Sequence, residues 1–286
     1  MTDAFKITEP TCISFSGGRT SAYMLWRVLQ SNGGLPAEAV VCFANTGKED
    51  EATLRFVERC SKEWGVPIIW LEYQAAIEPR DRWRVVGYKT ASRIGEPFRL
   101  ANRQKKYLPA APARYCTVVL KIDPARYYMQ SLGYEEWDNL VGIRADEHRR
   151  VAKIRANPSD GKRGIEQRMP LADAGITNAD VLEFWRKQTF DLELPLIRGK
   201  TMHGNCDLCF LKPTGQLLSL IFEKPERATW WIEEENWAQT IVHDKSSNGI
   251  YFRPNAPSYA QLLKFSQEQR DMFDPNEEAI ACFCGD

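Results

Sequence analysis

The chain has 286 residues, 43% apolar and 27% charged, with a formal net charge of +0. That composition fits one large or two small globular domains with a real core. Global charge excludes neither sign of ligand but advertises no broad nucleic-acid or membrane surface. No apolar run approaches the roughly 18 residues a membrane span needs, and the opening MTDAFKITEP carries no basic-then-apolar targeting pattern. The expectation is a cytoplasmic protein with reduced thiols.

In chain order, Thr11–Phe15 reads as a short buried strand and Thr20–Gln30 as a helix. Ala39–Ala44 is a second strand, Asp50–Trp64 a helix with Leu54, Val57 and Cys60 on one side, and Val66–Tyr73 a third strand. A β-α-β-α-β order with β-branched strands predicts a doubly wound, mainly parallel α/β sheet covered on both faces. Leu120–Leu132 reads as a helix, Asn139–Ile143 as a strand, and Asn178–Gln188 as a helix capped at Thr177 or Asn178. Beyond Lys212 the pattern turns helical, with Gln216–Glu223, Pro225–Trp237 and Tyr259–Met272. The expected organisation is a nucleotide-binding unit over 1–212 and a helical extension over 213–286.

Residues 75–114 interrupt the alternation. Ten Lys or Arg face three Asp or Glu, a local balance of +7. Such a segment suits an anion-binding lid or a nucleic-acid surface across Arg80–Lys106. Trp83, Tyr88, Phe98 and Tyr107 are interleaved and suit base stacking or a cap over the core.

Ser16-Gly17-Gly18-Arg19-Thr20-Ser21 follows the first strand and opens the first helix. Glycines there admit positive φ and close backbone approach to an anion. First-turn N–H groups and the helix dipole then hold a phosphate. The loop is not a Walker A sequence. Gly142, Arg144, Asp146 and Glu147 follow a later strand, at the sheet edge where open α/β proteins bind ligands. Arg144 can fork onto phosphate or sulfate, and Asp146 and Glu147 can orient it or hold Mg²⁺.

Eight cysteines are present. Cys12, Cys42 and Cys60 read as buried small hydrophobes. Cys206-Asp-Leu-Cys209 has the spacing for two thiolates on one centre, and soft thiolates select iron–sulfur or zinc.

These motifs together resemble the PP-loop, adenine nucleotide alpha hydrolase-like superfamily. The similarity is greatest to the branch of PAPS reductases and the small subunit of ATP sulfurylase. SGGRTS resembles the PP-loop itself. ANTG (Asn45, Thr46 and Gly47 with Ala44), RYCTVVLKIDP, VGIRADEHRR and ELPLIRGKTMHGNCDLCFLK follow in the branch's order. The resemblance implies an adenine nucleotide, PAPS or ATP, held by Ser16–Ser21, Asn45–Gly47, Gly142, Arg144, Asp146 and Glu147. It implies a [4Fe–4S] cluster on Cys116, Cys206 and Cys209, with Cys282 or Cys284 as fourth ligand or an open fourth iron; zinc is the other metal to expect. It implies Cys284 as a tail nucleophile, Arg144 as its catalytic partner, and a thiol reductant or sulfur donor protein. Two departures stand out. Arg19-Thr20 replaces the usual Lys-Asp, and Asn45 replaces an Asp. The expected activity is sulfonucleotide reduction or sulfur transfer. The alternatives are a sulfurtransferase acting on nucleic acid, resembling DNA phosphorothioation or tRNA thiolation proteins, and a non-catalytic nucleotide-binding subunit.

Overall fold

The β-branched runs assemble as predicted. In a computed structural model, which describes residues 3–161, 164–197, 199–241 and 249–268, they form the middle of one sheet. β1 (Thr11–Ser14), β2 (Ala39–Asn45) and β3 (Ile68–Tyr73) alternate with α1 (Arg19–Asn32) and α2 (Glu51–Trp64). β4 (Trp83–Val86) turns back antiparallel on β3. Then come α3 (Glu96–Lys105), α4 (Tyr115–Thr117), a π turn over Val118–Ile122, α5 (Asp123–Ser131) and β5 (Trp137–Val141). α6 (His148–Ala156), β6 (Ser159–Asp160) and β7 (Ile165–Arg168) follow. The sheet order is β4-β3-β2-β1-β5-β7-β6. The five central strands are parallel and only the two edges are antiparallel.

Both faces of the sheet are covered, so each strand is apolar on both sides. On one face Ile13, Val41, Phe43, Trp70 and Leu140 pack with α1 and α2 and with Val181 and Trp185 of a later helix. On the other, Cys12, Cys42, Leu71, Trp137 and Ile165 pack under Met129 of α5. The fold is α/β, with an open, mostly parallel, doubly wound sheet.

α7 (Pro170–Asp173) leads to α8 (Asn178–Arg186), whose start is fixed by a capping box between Thr177 and Asp180. A small hairpin, β8 (Leu196–Ile197) and β9 (Lys200–Thr201), precedes the Cys206–Cys209 turn. α9 (Thr214–Glu223), α10 (Ala228–Ile241) and α11 (Tyr259–Glu268) close the described chain.

These last helices do not pack by themselves. Phe98 of α3, Leu120, Leu208, Phe210, Leu217, Trp230, Trp231, Phe252 and Tyr259 form one second core. The segment over 75–114, the cysteine turn and the helices beyond Lys212 therefore share a core. Fully buried Glu234 of α10 joins them further, accepting from Arg99 (2.8 Å), Arg103 (2.8 and 3.0 Å) and Asn102 (2.8 Å). No helix among the described residues is long and apolar enough to cross a membrane.

Candidate functional site

The chain leaves β1 toward β2 and β3 on one side, then returns to β5 on the other. The order reverses between β1 and β5, and ligands of open α/β sheets bind at the carboxyl ends of such a strand pair. The two loops that leave this point are Ser16–Ser21 and Gly142–Glu147.

The first loop is closed on itself. Ser16 donates from its N–H and its hydroxyl to Ser21 Oγ (3.1 and 2.9 Å), and Ser21 Oγ donates to the Gly18 carbonyl (3.0 Å). Gly17 has φ +80°, and a Cβ there would lie 2.7 Å from Thr53 Cγ2 of α2. Only glycine fits that approach. Gly18 caps α1 without a side chain, so the first-turn N–H groups of Arg19, Thr20 and Ser21 have no intrahelical acceptor.

The second loop touches the first. A Cβ on Gly142 would lie 3.1 Å from Ser21 Cα, so glycine lets the loops approach. Arg144 Nη1 donates to Thr20 Oγ1 at 3.0 Å, and its Nε to Asp146 Oδ1 at 3.1 Å. Glu147 accepts from the Arg144 backbone N–H (2.9 Å) and from Arg150. The other Asp146 oxygen accepts from Asn178 N–H (3.3 Å). Both carboxylates are engaged by guanidinium and N–H donors. They orient Arg144.

Arg19 behaves differently from its expected role. Its guanidinium is 7% exposed and turned away from the loop. It makes a bidentate pair with Asp191 (2.7 and 2.8 Å) and donates to the carbonyls of Leu192 and Leu194 and to Thr201. Its charge is committed to fixing the 191–194 strap. Asp191 carries no sequence signal that would announce this.

The loop after β2 also departs from expectation. Asn45 is fully buried, and its Nδ2 donates to Glu72 Oε1 (2.6 Å) and to the Ser92 carbonyl (2.9 Å). Gly47 (φ +78°) lies against Gly95, whose N–H donates to the Gly47 carbonyl at 2.8 Å. Thr46 donates to the Glu49 carboxylate (2.9 and 3.0 Å) and sits 3.4 Å from Cys206 Sγ. The side chains of Asn45 and Thr46 bond toward β3, the Ser92 loop and the Cys206 turn. Glu49 was missed from the sequence; its only signal is its place three residues after Thr46. Burial raises its carboxyl above the usual range, and Lys121 opposes that. Burial, then the charge of Glu49, pushes the Cys206 thiol well up.

Cys116 and Cys209 pack against the same apolar cluster as Cys206. Among the described residues, however, no group of three or more His, Cys, Asp or Glu side chains is placed to hold a metal ion. The Cys206 thiol faces Thr46 instead. The described donors do not by themselves complete the expected thiolate set. Cys282 and Cys284 lie outside the described residues.

Four of the ten basic residues of the 75–114 segment are matched by carboxylates within the chain. Arg84 pairs with Glu72 and Glu96, Arg93 with Glu51, and Arg99 and Arg103 with Glu233 and Glu234. Its rings are internal contacts too. Trp83 packs on Tyr128, Tyr88 on Trp70, Phe98 on Trp230 and Tyr107 on Tyr115. The local excess read from the sequence ignores carboxylates brought in from α2, β3 and α10. Cavities of about 320 Å³, beside α2, and about 270 Å³, at the amino ends of β5 and β7, include no residue of the two crevice loops.

No family model matches the chain. It is 32% identical over 214 residues to the uncharacterized nin region protein ORF290 of Escherichia phage lambda, covering 72% of this chain and 67% of that protein. It is 29% identical over 143 residues to an uncharacterized protein of Methanocaldococcus jannaschii, covering 50% of this chain and 24% of that protein.

Proposed function

The chain belongs to the family of the nin region protein ORF290 of Escherichia phage lambda. From its motifs and their placement we propose that it carries out adenine-nucleotide-dependent sulfur chemistry, in the manner of a PAPS reductase, at the crevice between the β1 and β5 loops. The contact of Arg144 with Thr20 at 3.0 Å carries this reading, because it unites the two motifs at the strand-order reversal.

In this account the first-turn N–H groups of α1, with the hydroxyls of Ser16 and Thr20, receive phosphate oxygens. Arg144, aimed by Asp146 and Glu147, receives the sulfonate or the adjoining phosphate through paired N–H donors. A sulfonucleotide brings an electrophilic sulfur to that position. The Cys284 thiolate attacks it, the S–O bond breaks, and the phosphate leaves on the nucleotide. An external thiolate then takes the Cys284 sulfur into a mixed disulfide and releases sulfite.

Thr20 supports binding of a sulfonucleotide over metal-assisted ATP cleavage, since it supplies a hydroxyl where a metal-binding carboxylate is usual. The test is sulfite release from PAPS and from adenylyl sulfate with a thiol reductant. Sulfite from either, lost in Arg144→Ala, supports the proposal. Binding of neither nucleotide overturns it. The nucleic-acid alternative rests on the exposed Arg80, Lys89, Lys105 and Lys106. It would show as salt-dependent binding of DNA or tRNA.

A further inference from the structure

Cys206 and Cys209 stand one turn apart. The Cys209 N–H donates to the Cys206 carbonyl at 3.2 Å. A turn closed in this way holds its end Cα atoms within about 7 Å, which reaches the span of about 4.4–6.8 Å that a disulfide bridges. The two thiols differ in access: Cys206 is buried and Cys209 is half-buried.

The Cys206 thiol is also held in place. Its Sγ lies 3.4 Å from Thr46 Oγ1. The Thr46 hydroxyl donates to Glu49, and its oxygen lies within hydrogen-bond reach of the Cys206 sulfur. The carboxylate itself is fixed by the N–H groups of Thr46 (2.9 Å) and Lys48 (3.2 Å). The turn is docked by the Asp207 N–H on the Lys48 carbonyl (2.6 Å), by the Lys48–Asp207 ion pair (3.2 Å) and by Trp231 Nε1 on Asp207 (3.0 Å). A docked turn thus presents one half-buried and one buried cysteine.

We propose that Cys206 and Cys209 are a thiol–disulfide redox site that reacts with a low-molecular-weight disulfide. The Cys209 thiolate attacks one sulfur of the disulfide R–S–S–R. That S–S bond breaks, and the departing thiolate takes a proton from water. The Cys206 sulfur then attacks the Cys209 sulfur of the mixed disulfide. The second thiolate leaves and takes up the proton that Cys206 gives up. Two protein thiols are oxidised by two electrons, and one disulfide is reduced to two thiols. The site does not depend on the nucleotide reading, because each of its contacts lies outside the two crevice loops.

The experiment equilibrates the full-length, anaerobically purified protein with glutathione buffers from fully reduced to fully oxidised. Peptides are then mapped after alkylation. The expected result is a peptide joining Cys206 to Cys209, lighter by two hydrogens and closed to alkylation, that reopens in the reduced buffer. Cys206→Ser should leave glutathione bound on Cys209. Two alkylatable thiols at every ratio would overturn the proposal. So would a Cys116–Cys209 bridge, or iron or zinc at about one site per chain that protects both thiols until a chelator is added. None of these outcomes depends on nucleotide binding.

Discussion

Arg144 reaches across the reversal in strand order and donates to the hydroxyl of Thr20 at 3.0 Å, while Arg19, next to Thr20 in sequence, points the other way into Asp191. Two arginines that look equivalent as phosphate ligands are thereby separated into one at the crevice and one in the framework.

Arg144→Ala should leave the fold in place and weaken nucleotide binding by about 1.5–3 kcal/mol, the range of a hydrogen bond to a charged group. That is roughly 10- to 100-fold in Kd, read by calorimetric titration. Thr20→Asp should also weaken binding, because the new carboxylate would pair with Arg144 and oppose an incoming anion.

Arg19→Met should act on stability instead. It strips the partner from Asp191, which is partly exposed, and donors from two buried carbonyls. The expected loss is about 2 kcal/mol, discounted from the 3–5 of a fully buried pair. Denaturant melts should show that loss with nucleotide affinity retained by the folded fraction.

Asn45→Asp restores the residue usual in the resembling branch, and it should destabilise this chain. Asn45 Nδ2 donates to Glu72 at 2.6 Å, and both side chains are fully buried. A carboxylate in its place would face another carboxylate, so its folded pKa would rise above the ordinary value of about 3.9. The penalty should be absent in acid and appear as pH rises. Melting temperatures of variant and wild type should converge at low pH and separate toward neutrality.

Glu235 should give the wild type a pH dependence of its own. It is 2% exposed, one of its oxygens has no partner, and it accepts from the Tyr259 N–H at the start of α11. Burial pushes its carboxyl up to about 7, against a usual 4.5. The folded pKa is the higher one, so the stabilising contribution is full below about 4.5 and fades as pH rises through about 7. The shift corresponds to about 3 kcal/mol across that window. Glu235→Gln should flatten the profile between those limits in denaturant melts.

Much of this architecture was legible in the residues. The apolar runs at Thr11–Ser14, Ala39–Asn45 and Ile68–Tyr73 are β-rich and bounded by glycine or helix starts, so they predicted three parallel strands. β4 and β7 were missed because their sequences, WRVV and IEQR, carry charge and pair near the sheet's edges. The loops at Gly17–Gly18 and Gly142–Arg144 were legible because glycine spacing reports close approach directly. The destinations of Arg19 and Asn45 were not. Each depends on an acid brought in by the fold, Asp191 and Glu72, at sequence separations of 172 and 27 residues. The same reason hid the neutralisation of Arg84, Arg99 and Arg103.

The most direct test of the central claim is a calorimetric titration of the wild type and Arg144→Ala with PAPS. One site per chain is expected in the wild type and an affinity at least about tenfold weaker in the variant, with unchanged melting behaviour. No heat of binding in the wild type, or equal affinity in both proteins, would contradict it.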